Sequence, residues 1–203
     1  MTIAAEALKQ SRQVIDMYEA YADRYDEIVG SEPIERVQAA LKRLAAEVGT
    51  DGQILEIGSG AGREADFLED LGLHLRRTDA TRRFLEIQAA RGKQADLLDV
   101  VADELGGPYD AVVALCVLFY VRRAEIEAVL GKVAQSLRPG GVFLVSMRHG
   151  DGEKNGEYQT VLWRRDDFAR LLEDAGMAVV WDEFAVNTGN GEEWISFLAV
   201  KGS

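Results

Sequence analysis

The stretch Ile54-Leu55-Glu56-Ile57-Gly58-Ser59-Gly60-Ala61-Gly62-Arg63 is an apolar run that leads into three alternate glycines and then into a helical pattern. Glycine adopts positive φ readily and carries no side chain. Backbone N–H groups of such a turn can therefore approach a ligand at the partly positive start of a helix. We expect the turn to bind a nucleotide-like ligand beyond the end of a buried strand.

The spacing of the glycines distinguishes between kinds of nucleotide-binding turn. A dinucleotide fingerprint has its third glycine three positions after the second, where this chain has Arg63. A nicotinamide-dependent oxidoreductase is therefore an alternative rather than the first reading. No Gly-Lys-Ser/Thr follows, which excludes a Walker loop. A non-catalytic, cofactor-binding regulatory module stays open, because a fold alone does not establish turnover.

Outward from the turn, short apolar runs alternate with amphipathic stretches. We predict strands near 53–57, 73–78, 93–95, 109–115 and 140–147, and helices near 62–71, 81–90, 122–136 and 165–175. This alternation indicates βα units on a parallel sheet. Two further apolar runs, at 177–181 and 194–200, follow one another without a helix, so we expect them to form an antiparallel pair.

Two helical stretches, 5–28 and 33–48, precede the first strand and are separated by Gly30-Ser31-Glu32-Pro33. Glycine before a proline in the first turn is typical of one helix ending and another beginning. No repeat or linker is evident. We expect a single domain over 1–203, with an N-terminal helical lid at 1–50 and a Rossmann-like core at 51–203.

Composition narrows the possible partners. The 203 residues carry 23 Lys and Arg against 35 Asp and Glu, a net charge of -12, and the arginine doublets are scattered, so we do not expect nucleic acid as a partner. The single cysteine, Cys116, excludes an internal disulfide and a multi-cysteine metal site, and fits a reducing, cytoplasmic compartment. No signal sequence or membrane-length apolar run is evident, so we expect no membrane partner.

Two aspartates follow the next predicted strands. Asp79 lies 21 residues after Gly58, where a carboxylate can accept hydrogen bonds from both hydroxyls of a ribose. Asp96 and Leu97 offer a carboxylate to an exocyclic amine and an apolar side chain to a purine face. A helix cap at Asp79 and a turn role for Asp96 are the structural alternatives.

With these residues in place, the chain resembles the class I S-adenosylmethionine-dependent methyltransferases, in the branch that acts on small molecules. The resemblance covers nearly the whole chain and rests on five segments: the glycine turn, 18–26, 78–80, 109–113 and Leu137-Arg138-Pro139-Gly140-Gly141-Val142-Phe143-Leu144. It implies an α/β three-layer sandwich whose seven-stranded, mostly parallel sheet has a C-terminal antiparallel hairpin and N-terminal lid helices.

The resemblance also implies S-adenosylmethionine as cofactor and S-adenosylhomocysteine as product. Glu56 and the glycine turn would bind the methionine part, Asp79 the ribose, and Asp96 with its neighbours the adenine, while Tyr21 or Tyr25 would cover the cofactor. Packing of one helical face is the structural alternative for the tyrosines. The cofactor-binding set is therefore Tyr21, Tyr25, Glu56, Gly58, Ser59, Gly60, Gly62, Asp79, Ala80, Asp96, Leu97, Leu115 and Cys116.

Methyl transfer is an in-line displacement in which alignment contributes much of the rate, and a general base is needed only for a nucleophile that carries a firmly held proton. The expected acceptor is a small molecule with an O- or N-nucleophile. His149 and Tyr120 are the candidate catalytic residues, because both follow central strands, although an incidental histidine and a hydrophobic wall are the alternatives.

The remaining substrate-side features lie at 148–158. We expect the polar loop 150–158, with Asp151, Glu153, Lys154 and Glu157, to contact the substrate or close the site. Arg148 or Lys154 could pair with an anionic substrate. No cluster with metal-ligand spacing is evident, and we predict no metal site.

Overall fold

The computed structural model describes residues 4–156 and 158–203. Its helices are α1 Ala5–Tyr21, α2 Tyr25–Val29, α3 Glu35–Val48, α4 Arg63–Asp70, α5 Arg82–Ala90, α6 Arg123–Ser136 and α7 Arg165–Asp174. Its strands are β1 Gln53–Ile57, β2 His74–Asp79, β3 Ala95–Leu97, β4 Tyr109–Ala114, β5 Leu137–Arg148, β6 Glu153–Asn155, β7 Gln159–Val161, β8 Met177–Val186 and β9 Glu193–Lys201. Single 3₁₀ turns lie at Ala22–Arg24 and Leu118–Tyr120.

Seven strands form one sheet in the order β3-β2-β1-β4-β5-β9-β8. The first five are parallel, and β9 runs antiparallel to both β5 and β8. This confirms the predicted seven-stranded, mostly parallel sheet with a C-terminal antiparallel hairpin. The carboxyl ends of β1, β2 and β4 therefore meet at one edge, where ligands of such sheets bind.

The sheet is covered on both faces, because side chains alternate along each strand. One core contains Leu55 of β1 with apolar side chains of α6 and α7, and the other contains Ile54 with apolar side chains of α3 and α4. Burial on both faces explains why β4 and most of β5 are apolar throughout, and the prediction that they are central strands is confirmed.

Several predicted bounds were wrong. The helix expected at 5–28 is two helices, because the backbone leaves α1 at Tyr21, where φ is -129° and ψ is 8°. The third strand lies at 95–97 rather than 93–95, since Arg77 of β2 pairs with Ala95. The predicted loop 150–158 contains β6, which forms a small antiparallel hairpin with β7. Glu157 of that loop lies outside the described residues.

None of the helices in the described ranges combines the length and the apolar character needed to cross a bilayer.

Candidate functional site

The glycine turn between β1 and α4 is tied to β2 by its backbone. The N–H groups of Gly58 and Ser59 both donate to the carbonyl oxygen of Thr78, at 2.9 and 2.8 Å. Gly58, Gly60 and Gly62 have φ of 74°, 53° and 93°, a region that other residues rarely adopt. A Cβ at Gly58 would lie 2.3 Å from the side chain of Val117, so the turn also requires glycine for space.

Asp79, at the end of β2, holds the turn from the ligand side. Its Oδ2 accepts from Gly60 N at 2.8 Å, and its Oδ1 accepts from Thr81 N at 2.8 Å. The side chain is 6% exposed. Burial raises the pKa of this carboxyl, and the backbone hydrogen bonds from Thr81 and Gly60 oppose the rise. Hydrogen bonds from the Thr81 side chain and the Ala80 backbone also lower the pKa of this carboxyl.

A buried glutamine of α5 fixes the turn from the opposite direction. Gln88 Nε2 donates to Ser59 Oγ at 2.8 Å and to Gly60 O at 2.9 Å, and its Oε1 accepts from Arg77 Nη1 at 3.2 Å. Arg91, at the end of α5, donates to the carbonyl oxygen of Ala61. The carbonyl groups of Gly60 and Ala61 are thus satisfied by side chains before any ligand arrives.

The guanidinium of Arg77 anchors this arrangement to α4. It is almost fully buried and forms ion pairs of 2.7 Å with both Asp66 and Glu69. A Cβ at Gly62 would lie 2.8 Å from Arg77 Nη1 and 2.9 Å from Arg91 Nη2. Sequence reasoning missed the roles of Gln88 and Arg77. The only sequence signal for either residue was the polar side chain of Gln88, which lies one turn after Phe84 on the buried face of an amphipathic helix.

The main cavity opens where the glycine turn, Asp79 and the segment after β4 meet. Its empty volume is about 770 Å³, counting space open to solvent. The residues that line it are Ser11, Val14, Ile15, Tyr18, Tyr25, Ile57, Gly58, Gly60, Asp79, Ala80, Thr81, Phe84, Leu98, Asp99, Val100, Val101, Leu115, Cys116, Val117, Tyr120 and Val121. In the described part of the chain, the lining has two carboxylates and no lysine, arginine or histidine.

Aromatic side chains from the N-terminal helices cover this cavity. The hydroxyl oxygens of Tyr18 and Tyr120 lie 2.9 Å apart, which joins α1 to the segment after β4. The ring of Tyr25 lies over Gly60, and its centroid is 5.0 Å from that of Phe84. Burial raises the pKa of Tyr18, Tyr25 and Tyr120, so these phenols stay protonated near neutral pH. Tyr21 does not line the cavity; it packs on Tyr18, with ring centroids 5.3 Å apart.

Glu56 lies in β1 beside the turn but not in the cavity wall. Its side chain is buried, and its Oε2 has no hydrogen-bond partner among the described residues. Burial, followed by the negative charge of Glu64, raises the pKa of this carboxyl well above its ordinary value, while Arg77 opposes the rise. An unpartnered carboxylate oxygen beside a nucleotide turn suits a ligand that carries an ammonium group.

Some predicted site residues lie elsewhere. Asp96 forms an ion pair with Arg76 at 2.8 Å, and Leu97 is 44% exposed, so neither lines the cavity. Leu98 and Asp99 line the cavity instead, because β3 begins two residues later than predicted. Ser59 and Gly62 support the turn without lining the cavity, whereas Ala80, Leu115 and Cys116 do line it.

The two candidate catalytic residues have different surroundings. Tyr120 lies in the cavity wall. His149 does not; its Nδ1 lies 2.9 Å from Glu193 Oε2, and its ring packs edge-on against Phe184. Cys116 has a positive φ of 60°, and its backbone N donates to Ser146 Oγ. The Cys116 residue is exposed where it lines the cavity, but desolvation by the surrounding protein atoms raises the pKa of its thiol, which does not favour a nucleophilic thiolate.

The other described residues predicted to face the substrate do not line the main cavity. Arg148 pairs with Glu192, and its guanidinium lies 5.3 Å from the ring centroid of Phe119 and 5.1 Å from that of Trp194. Lys154 is exposed on β6. Within residues 4–156 and 158–203, no group of three or more His, Cys, Asp or Glu side chains is arranged to hold a metal ion.

Comparison with known proteins agrees with this geometry. Residues 55–143 match the family described as "Methyltransferase domain". Over 119 residues the chain is 30% identical to the protein-L-isoaspartate O-methyltransferase of Dinoroseobacter shibae, which covers 55% of this chain and 51% of that protein. The chain therefore spans about half the length of this curated relative.

Solved structures share the fold at low identity. The 1,6-didemethyltoxoflavin-N1-methyltransferase of Burkholderia thailandensis has a TM-score of 0.80 at 17% identity, covering 100% of this chain and 93% of that one. Magnesium protoporphyrin IX methyltransferase of Synechocystis PCC 6803 has a TM-score of 0.77 at 17% identity, covering 95% and 97%. The [4+2]-cyclase SpnF has a TM-score of 0.76 at 14% identity, covering 95% and 96%.

The sheet order and the glycine turn with Asp79 define a Rossmann-like fold. Over residues 55–143 the chain is similar to the methyltransferase-domain family, and it shares the fold of the solved S-adenosylmethionine-dependent methyltransferases.

Proposed function

We propose that this protein transfers the methyl group of S-adenosylmethionine to an oxygen or nitrogen atom of a small-molecule acceptor. One observation carries the proposal: the main cavity joins a glycine turn to a buried carboxylate, Asp79, at the end of β2. This arrangement suits the paired hydroxyls of a ribose.

The residues present fit the cofactor. Asp79 would bind the ribose hydroxyls, the backbone of Gly58 and Gly60 would approach the methionine part, and Glu56 would offer its free oxygen to the ammonium group. Leu98 and Val100, with Ala80, would contact the adenine in place of Asp96 and Leu97. When bound, the cofactor supplies a methyl group already activated on a sulfonium.

The charge of the cavity supports a cationic ligand. Asp79 and Asp99 are the charged residues in its described lining, and the buried carboxyl of Glu56 is close to the turn. The faces of Tyr18, Tyr25 and Tyr120 add aromatic surfaces that attract cations. A site of this kind would bind a dianionic dinucleotide poorly, which does not favour the oxidoreductase alternative.

The acceptor would be aligned rather than deprotonated by the protein. Tyr18 and Tyr120 keep their protons near neutral pH, so their hydroxyls would orient an acceptor by hydrogen bonding. His149 lies outside the described cavity lining, so we assign it no catalytic role. An acceptor that needs no side-chain base, such as a carboxylate or a neutral amine, fits this arrangement best.

The N-terminal helices would act as a lid over the cofactor. Ser11, Val14 and Tyr18 of α1 and Tyr25 of α2 line the cavity, and Ser11 Oγ donates to Asp99 Oδ2 at 2.6 Å. This supports a helical lid within 1–50 on a core at 51–203, together forming one domain. A small-molecule acceptor and a cytoplasmic location also belong to the proposal, and rest on the net charge of -12 and the single cysteine.

Calorimetric titration with S-adenosylhomocysteine tests the proposal. We expect the wild type to bind, and Asp79→Asn to bind more weakly by about 1–3 kcal/mol, since it loses hydrogen bonds to a charged acceptor. Asp70→Asn, an exposed carboxylate at the end of α4, is the matched control and should bind as the wild type does. Absence of binding by the wild type would refute the proposed cofactor.

A further inference from the structure

A second cavity lies between α1, the start of α6 and the β6–β7 hairpin. Its described lining is mostly polar and consists of Glu6, Lys9, Gln10, Gln13, Arg122, Arg123, Ala124, Glu153, Gly156, Tyr158 and Gln159. None of these residues lines the main cavity, and none has a role in the proposed binding of the cofactor.

The two cavities meet at Tyr120. The backbone oxygen of Tyr120 accepts from Gln10 Nε2 at 2.7 Å, and its ring centroid lies 5.6 Å from that of Tyr158. Gln10 and Tyr158 line the second cavity, while Tyr120 and Ser11 line the main cavity. A molecule bound against Tyr120 is therefore adjacent to both spaces.

Arg122 lines the second cavity, and no carboxylate forms a close ion pair with its guanidinium in the described part of the chain. Its side chain is only 28% exposed, yet its nearest carboxylate contacts are Glu6 at 3.6 Å and Glu125 at 3.7 Å. Both distances exceed that of a good charge-assisted hydrogen bond, about 2.7–2.9 Å. The five N–H groups of this guanidinium are thus able to bind an incoming anion.

Arg123 is held in place beside it. Its guanidinium lies 4.1 Å from the ring centroid of Trp163, and its Nη2 donates to Leu162 O at 2.5 Å. The carboxylate of Asp151 is more distant, at 3.9 Å. A side chain fixed by stacking loses little entropy when it binds a ligand. Lys9, on the exposed face of α1, adds a third cation, and Glu6 and Glu153 are the acidic groups of the described lining.

The two cavities differ in their charged residues. The described lining of the main cavity has two aspartates and no cation, whereas that of the second has three cations and two glutamates, in a chain whose net charge is -12. We infer that the second cavity binds an anionic group of the methyl acceptor, a carboxylate or a phosphate, while the methyl-accepting atom lies at Tyr120. This inference rests on the proposed methyl transfer and adds the class of acceptor.

The experiment uses the full chain saturated with S-adenosylhomocysteine. Sodium phosphate and, separately, sodium benzoate are titrated at constant ionic strength while backbone amide NMR shifts are followed. We expect one of the two anions to cause saturable shifts in residues 9–13 and 122–124. Arg122→Gln should weaken that binding by about tenfold or more, because it removes a charge-assisted contact.

Controls separate the possible results. Arg170→Gln alters an exposed arginine on α7 and should leave anion binding unchanged, and Lys9→Gln should weaken it in the same direction as Arg122→Gln. Saturation by phosphate alone would indicate a phosphomonoester acceptor, and saturation by benzoate alone a carboxylate acceptor. No saturable shift with either anion, or equal binding by wild type and Arg122→Gln, would overturn the inference.

Calorimetry on the same samples distinguishes two kinds of failure. Normal binding of S-adenosylhomocysteine without an anion response would refute the second-cavity site alone. Absence of S-adenosylhomocysteine binding would refute the proposed function. The anion titration would then test the second cavity on the protein without S-adenosylhomocysteine.

Discussion

Gln88 Nε2 donates to the carbonyl oxygen of Gly60 at 2.9 Å, while the N–H of the same glycine donates to Asp79 Oδ2 at 2.8 Å. Gly60 is therefore held at both of its polar backbone groups, once from α5 and once from the end of β2. The shape of the turn is fixed before a ligand binds, which lowers the cost of ordering it.

Replacement of Gln88 should therefore weaken cofactor binding as well as the fold. Gln88→Leu removes the donors to Ser59 and Gly60 and leaves Arg77 Nη1 without its acceptor, so we expect a loss of about 1–3 kcal/mol in unfolding free energy. Gln88→Glu keeps an acceptor for Arg77 and should recover part of that stability but not the affinity for S-adenosylhomocysteine. Urea unfolding and calorimetry would measure the two effects. Equal affinity in all three proteins would show that Gln88 does not position the turn.

Gly62→Ala tests the packing behind the turn. The new Cβ would lie within 3.0 Å of atoms of Arg77, Arg91 and Gln88, at a φ of +93°. Gly49→Ala is the matched control, since its φ of +74° carries a similar strain with no atom within 4 Å. We expect Gly62→Ala to cost about 1–3 kcal/mol more than Gly49→Ala, measured by urea unfolding. Equal costs would mean that backbone strain alone explains the glycine.

The carboxyl of Glu56 should make stability depend on pH. Burial raises its folded-state pKa above the ordinary value of 4.5, so the folded protein binds this proton more tightly than the unfolded chain. The wild type should therefore lose stability as pH rises through and above about 4.5, where the unfolded chain releases the proton. Glu56→Gln removes this proton, and its unfolding free energy relative to wild type should increase as pH rises above 4.5. Parallel pH profiles would contradict the assignment.

Asp96 and Asp99 should differ in their effect on the cofactor. Asp96 forms a half-exposed ion pair with Arg76, so Asp96→Asn should change the affinity for S-adenosylhomocysteine by less than about 0.5 kcal/mol. Asp99 lines the cavity and accepts from Ser11 of the lid, so Asp99→Asn should weaken binding by about 1 kcal/mol. Calorimetry on both variants is the measurement. The reverse order of effects would restore Asp96 as the adenine contact.

The sequence predicted the features that local patterns encode. The apolar run before Gly58 and the spacing to Asp79 placed the turn and the buried carboxylate, because strand burial and glycine conformation are local properties. The three-residue strand at 95–97 is partly exposed and shows no strong alternation of apolar and polar side chains. Its bounds were therefore predicted two residues too early. For the same reason the predicted adenine contacts were placed at Asp96 and Leu97, whereas Leu98 and Asp99 line the cavity.

Contacts between segments that are far apart in the sequence could not be predicted from the spacing of residues. Tyr18 meets Tyr120 across 102 positions, and Gln10 meets Tyr120 across 110, so only the folded chain brings these residues together. The β6–β7 hairpin was missed because its three-residue strands carry mostly polar side chains. His149 was placed correctly at the end of β5, but sequence gave no sign of its contact with Glu193, 44 positions later.

The hydroxyl contact between Tyr18 and Tyr120 has a kinetic consequence. Tyr18 belongs to the helix that covers the cofactor, whereas Tyr120 belongs to the wall at which we place the acceptor. If α1 must move away for the cofactor to exchange, the hydrogen bond between Tyr18 and Tyr120 breaks, and the acceptor loses one side of its binding site. We therefore expect a compulsory-order cycle in which the cofactor enters first and its demethylated form leaves last.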